Sequence, residues 1–392
     1  MSDPTPAGRE LFEGGPPHHF QTWVGLIRAG KPNVVWRALL VAALAWVPLA
    51  ILSAANGSFV GPVHEGAFAY DIGAHARFLL AAPLLVLAES ICLPQLTHIA
   101  RHLIDAGLIA DSDRSRYLRA VDSTRRLMNS GVIEILVVAL AYGLIGLLAF
   151  GRFSPEVPAW HGSVQGGAMI LSAAGWWGVL VSLPLLLILL LAWLWRLMLW
   201  ARFLWLMSRI DLKLVPAHPD HAAGLRFVGE SLQVLMPIGL SIGVIVAGPT
   251  ANYVLHRSTS ILDFKTLILG AVVFVLVLCA GPLLLFSNRL IAERRRGIFG
   301  YGALAVRLGT QMERKWLTPE KPMDADALGV PDFSATTDLY SIVANVYAMR
   351  IVPIDLKRLI LLVVATLAPF IPVALLAVPL AVIVKKVAAL LL

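Results

Sequence analysis

From Trp176 to Leu194 the chain carries no charged residue. A run of that length crosses a bilayer core, which takes ~20 apolar residues. The same stretch then gathers Arg196, Arg202 and Arg209 among Trp193, Trp195, Trp200 and Trp205. Cations and tryptophans together mark a membrane–water interface, and Lys/Arg excess marks its cytoplasmic side. Helix from Ala173 to Arg209 would measure ~55 Å at 1.5 Å per residue, against a hydrocarbon core of ~30 Å. The helix should therefore cross the membrane, with a kink at Pro184, and deliver the loop Asp211 to Leu225 to the cytoplasmic surface.

Other apolar runs repeat the pattern. The 392 residues are 58% hydrophobic and only 14% charged, where soluble domains carry about 25% charged residues. The reading is an all-α polytopic helical membrane protein. Six transmembrane helices are expected at Val34–Ala55, Arg77–Leu96, Val132–Phe150, Ala173–Arg209, Leu232–Tyr253 and Thr266–Phe286. Ile354 to Leu392 forms a C-terminal apolar hairpin turning near Pro369 to Pro372, or a seventh span. The hairpin is favoured because it returns Lys385 and Lys386 to the cytoplasmic face. Residues 1–33 read as a cytoplasmic N-terminal tail without a signal peptide's apolar core. Residues 34–392 read as one membrane domain with cytoplasmic helical segments at 98–130, 208–230 and 288–357.

Lys/Arg asymmetry orients the chain. Arg28, Lys31 and Arg37 precede the first span, whereas the loop Asn56 to Ala76 has no Lys or Arg. The N-terminus is thus expected in the cytoplasm of a bacterial cell, at its inner membrane. The net charge of +8 sits at span ends and implies no nucleic-acid partner. Arg294, Arg295 and Arg296, just past the sixth span, can meet anionic lipid headgroups. Cys92 and Cys279 lie in apolar spans and read as reduced, packed hydrophobes.

Glu89 lies inside the second span. An ionisable group at that depth faces the bundle interior or a water-filled cavity. It is either a structural carboxylate or part of a permeation or proton path. His98, His102 and Asp105 share one helical face farther along and read as an interfacial polar stripe. His64, Glu65, Asp71 and His75 match no metal-ligand spacing and read as a solvated outer loop. Ala-Gly-Pro recurs at Ala247-Gly248-Pro249 and Ala280-Gly281-Pro282, and reads as kinked packing.

The loop sequence Pro216-Ala-His218-Pro219-Asp220-His221-Ala-Ala-Gly224-Leu225-Arg-Phe227 is the most specific block. His-Pro-Asp also occurs in J-domain co-chaperones, but a transmembrane helix precedes it here. The block resembles the HPDxAGGLxF signature of an uncharacterised family of bacterial polytopic inner-membrane proteins. Pro331-Asp332, Asp338-Leu339 and Met349-Arg350-Ile-Val352-Pro353 fit a second block, and Arg77-Phe78-Leu79 with Ala88-Glu89 a third. The resemblance spans roughly Arg77 to Pro372 and departs at Ala223, where glycine is expected, and at Ser334-Ala335. It implies an architecture and no established activity.

Two chemistries fit the His-Pro-Asp block. His218, Asp220 and His221, with Asp211 or Asp332, could complete a metal site or place a base beside water, Asp338 being a further motif candidate. Alternatively, Asp220 caps a helix starting near His221, Pro219 fixes the turn and Gly224 permits close packing. The cap is the favoured reading, with no cofactor. No Ser/His/Asp triad, P-loop or HExxH stretch is present. Three functions stay open: a channel or transporter-like component first, a membrane assembly or signalling scaffold with a homo-oligomeric or membrane-protein partner second, and a metal-assisted membrane enzyme third.

Overall fold

The computed structural model describes residues 15, 34–61, 66–150, 158–165, 168–257, 259–317 and 332–377. The expectations for His18, His19, His64, Glu65, Pro331, the Asp332 side chain, Lys385 and Lys386 lie outside the described residues. The helices are α1 (Val34–Ala55), α2 (Ile72–Asp105), α3 (Arg114–Met128), α4 (Gly131–Phe150), α5 (Ala173–Ser208), α6 (Met236–Arg257), α7 (Lys265–Ala280), α8 (Ser287–Trp316), α9 (Asp332–Tyr347), α10 (Leu356–Leu367) and α11 (Phe370–Ala377). Between α4 and α5 lies a short antiparallel hairpin, β1 (Gly162–Gln165) and β2 (Ala168–Leu171). An all-helical reading did not anticipate it. It is the only sheet among the described residues.

Five helical runs are long and apolar enough to cross a membrane, and up to seven if each bent helix pair counts as one span. Their outward faces carry large apolar side chains in the open: Ile51 is 62% exposed, Ile135 71% and Val277 66%. Lipid, not water, is the solvent such faces match. The chain is membrane-embedded.

Two spans begin with a π-helical turn, Ala76–Ala81 in α2 and Gly178–Ser182 in α5. Each is followed two residues later by a proline, Pro83 and Pro184. Proline lacks an N–H and its ring clashes with the carbonyl one turn back. The wider π turn carries the chain through both prolines in place of an open break.

The C-terminal expectation needs correction. At Pro369 the chain bends by 49° and does not reverse. Thr366 of α10 sits over Gly239 and Gly243 of α6. Phe370 and Val373 of α11 then join Ala247, Ala251 and Val254 farther along α6. The pair advances along its neighbour as far as Ala377. Gly239 and Gly243 permit that approach, as small residues do between membrane helices. A Cβ at Gly243 would stand 2.2 Å from the Thr366 carbonyl oxygen. Gly243→Leu is therefore expected to lose about 1–3 kcal/mol, read as detergent-solubilised thermal unfolding. Gly270→Leu on α7, where a Cβ meets nothing within 4 Å, should stay near wild type.

α7 continues through a 3-10 turn, Gly281–Phe286, directly into α8. The Ala280-Gly281-Pro282 stretch thus tightens the helix without ending it. Trp316 meets Phe333 with ring centroids 5.1 Å apart. Gly309 lies under the Tyr340 hydroxyl and Gly302 under that of Tyr347. Steps of seven in opposite directions make α8 and α9 an antiparallel two-helix arm.

Candidate functional site

Two polar centres stand out, one inside the bundle and one at the end where the Asp220 loop lies. The inner one is built on Glu89. Arg37 of α1 donates from Nη2 to Glu89 Oε2 at 2.6 Å, and Arg196 of α5 donates from Nη2 to Oε1 at 2.9 Å. All three side chains are at least nine-tenths buried. Each carboxylate oxygen thus has its own guanidinium. The Arg196 guanidinium also lies 5.2 Å from the Trp193 ring centre, and Trp193 Nε1 donates to the Leu85 carbonyl at 2.8 Å. A planar, permanently charged cation suits such a buried pair better than lysine would.

This corrects the placement of Arg37 and Arg196 as interfacial charges: they are 7% and 2% exposed. Glu89 faces protein. Sequence reasoning found the acid and missed its partners, although an intramembrane carboxylate nearly always has one. Gly15 adds to the same neighbourhood. It is buried, with φ +90°, and a Cβ there would meet Met128 Sδ at 2.7 Å and Arg196 Nε at 3.4 Å.

The second centre is the Asp220 loop. Asp220 Oδ1 accepts from the backbone N–H of Ala222 (2.8 Å) and Gly224 (3.1 Å), and Oδ2 from that of Arg226 (3.1 Å). His218 Nδ1 lies 2.9 Å from Oδ1. No helix begins at His221. Instead His221, Ala223 and Gly224 have φ of +56°, +54° and +94°, and the next helical turn starts at Arg226. The expected helix cap is really a carboxylate enclosed by a left-handed loop. Burial alone would raise the Asp220 pKa, but the three N–H bonds and His218 outweigh it and hold the carboxyl below its usual range. Ala223 occupies backbone space that favours glycine, the residue the resemblance puts there.

The loop ties three other segments together. The Lys213 N–H donates to the Leu108 carbonyl at 2.7 Å, and Leu212 bridges Ile109. The Arg350 N–H donates to the His221 carbonyl at 2.7 Å. Arg226 pairs with Asp355 at 2.7 Å, and Arg358 with Glu230 at 3.0 Å. The Arg226 bond depresses the Asp355 pKa. A Cβ at Gly229 would stand 2.3 Å from the Pro353 carbonyl oxygen, and one at Gly297 2.5 Å from Pro216 Cβ. Thus the first and second sequence blocks meet, far apart as they are in the chain.

Other expected site residues stay apart. Asp211 pairs with Arg289 at 3.3 Å and its side chain is 91% exposed. Asp338 is exposed on α9. Among the described residues no three His, Cys, Asp or Glu groups are placed to share a metal ion. Within the set His218, Asp220 and His221, the Asp220 oxygens are directed at backbone donors. Pro219 is exposed at the tip of the turn. Arg294 donates to the Tyr347 carbonyl (3.1 Å) and Arg296 to that of Leu214 (3.4 Å). Arg294 thus ties α8 to α9 within the arm and Arg296 ties the arm to the loop, uses beyond the expected headgroup contact, while Arg295 is exposed. Comparison with known proteins adds nothing to this geometry: no family model, no curated protein and no solved structure matches the chain.

Proposed function

We propose that the chain is a membrane assembly or signalling scaffold of a bacterial inner membrane, with its N-terminus and Asp220 loop in the cytoplasm. The observation that carries this reading is the α8–α9 arm. The helical run from Ile261 to Trp316 holds 56 residues, about 80 Å if unbent, against a core of about 30 Å. The arm leaves the bundle at the Asp220 loop, to which Arg296 on Leu214 and Gly297 packed against Pro216 fasten it. It holds Phe299 at 68% and Val306 at 70% exposure, and unpartnered apolar side chains outside a membrane suit a protein partner or a second copy. The Lys/Arg asymmetry and the resemblance to bacterial polytopic proteins support the orientation and the membrane.

The transporter-like reading rests on Glu89, the kinked spans and the absence of a catalytic motif; of these, Glu89 lies against Arg37 and Arg196 and faces protein. A photocrosslinking residue at Phe299 or Val306 in growing cells should give discrete protein adducts, with none from Val277 on a lipid-facing span. Liposomes holding the pure protein should pass protons and potassium no faster than empty ones. Saturable flux from the wild type, with no adduct from either arm position, would return the transport reading to first place.

A further inference from the structure

We propose that a groove between α3 and α5 binds a multiply charged phosphate group, a phosphomonoester or diphosphate. The groove encloses about 440 Å³ and is lined by Arg116, Arg119, Ala120, Ser123, Arg202, Leu206, Arg209 and Ile210. Four guanidinium groups line it and, among the described residues, no carboxylate does. Two lining rows run at helical spacing: Arg116, Arg119 and Ser123 on α3, and Arg202 and Leu206 on α5 with Arg209 at its C-cap. Side chains three, four and seven apart share one helix face, so the two rows confront each other where the helices pack.

Arg202 is the informative member. It is half-buried, and its guanidinium is held by neutral hydroxyls, from Nη2 to Ser123 Oγ at 2.9 Å and from Nη1 to Thr124 Oγ1 at 3.3 Å. Those bonds fix its position without cancelling its charge. Arg209 is placed by its own neighbour, 4.8 Å from the Trp205 ring centre. Arg116 alone has an acidic partner, Asp113 at 3.1 Å, and that arginine is 62% exposed. Arginines gathered without counter-charge repel one another unless an anion joins them. Guanidinium forks match phosphate oxygens in pairs, so the geometry suits phosphate better than a lone carboxylate. Several cations with no lining acid favour a ligand of charge −2 or more over a phosphodiester of charge −1.

The groove lies at the end of α5 rich in tryptophan and arginine, where a lipid headgroup and a soluble phosphate can both reach it. Phosphatidic acid and inorganic pyrophosphate are the two probes that separate these sources. Full-length protein in dodecyl maltoside is mixed with each, and bound ligand is counted by native mass spectrometry. The comparison set is the double variant Arg119→Gln/Arg209→Gln, whose side chains make no hydrogen bond or ion pair with a described residue, and Arg307→Gln on the distant arm. Expected is one ligand per chain for the wild type and Arg307→Gln, with affinity lowered at least tenfold in the double variant. Retention of phosphatidic acid over phosphatidylcholine, undisturbed by pyrophosphate, assigns the groove to a lipid headgroup. Saturable pyrophosphate binding that displaces the lipid assigns it to a soluble phosphate. Equal binding by the double variant and the wild type, or no saturable binding of either probe, overturns the proposal. A thermal unfolding midpoint unchanged in the double variant without ligand keeps a folding defect from mimicking the expected loss.

Discussion

Glu89→Leu is expected to destabilise the bundle by about 3–5 kcal/mol, the usual loss when one partner is taken from a buried ion cluster. The change takes from Arg37 and Arg196 the buried carboxylate to which each donates from Nη2. Glu89→Gln keeps an acceptor and should cost less, about 1–3 kcal/mol. Replacing all three together, by Arg37→Leu, Glu89→Leu and Arg196→Met, should recover much of the loss, since the paired charges are then removed together. Unfolding midpoints in one detergent compare the four proteins directly. A merely local carboxylate at an interface would give a mild Glu89→Leu and no recovery in the triple variant.

Asp220→Ala has the second largest expected effect, about 3 kcal/mol. It strips the acceptor from three backbone N–H groups at once, and each orphaned donor is costly. Asp220→Asn should also fail to behave as wild type. An asparagine offers one oxygen, so its amide N–H₂ would face the N–H of either Arg226 or the Ala222–Gly224 pair. A loss of about 1–2 kcal/mol is expected. Because the Asp220 pKa is lowered in the fold, its contribution is complete above the unfolded carboxylate pKa. It is lost as pH falls through the lower, folded value. Hydrogen exchange across residues 211–230 reads this locally: protection should drop in both variants, and in the wild type only at acid pH. An Asp220→Asn protein with wild-type protection would restore the simple cap.

The spans were legible because lipid imposes a crude code, a long apolar run with cations at one end. Val34–Ala55 coincides at both ends with its expected bounds. Asp220 was legible as a residue that organises a loop, since Pro219 and Gly224 mark a turn on their own. How it does so was not, because nothing in His221 or Ala223 announces a left-handed backbone. The triad was half legible. Glu89 is conspicuous in an apolar run, but its partners lie 52 and 107 residues away. Each of those arginines sits near a span end, where a charge has an ordinary explanation. Helix continuity misled in the opposite direction. Ala280-Gly281-Pro282 reads as kinked packing inside a span that ends near Phe286, yet the chain tightens into a 3-10 turn there and carries on as the arm. The hairpin at Gly162–Leu171 was beyond reach, being two four-residue strands with no alternating pattern of any length.

The central claim is that Arg37, Glu89 and Arg196 form a buried ion cluster inside this bundle. A double-mutant cycle tests it most directly, with Glu89→Gln, Arg196→Gln and the two combined, each measured by thermal unfolding in the same detergent. Contact between the pair should make the double variant more stable than the summed losses imply, by about 1 kcal/mol or more. Losses that add within about 0.5 kcal/mol would mean that the two side chains do not meet, and would contradict the account.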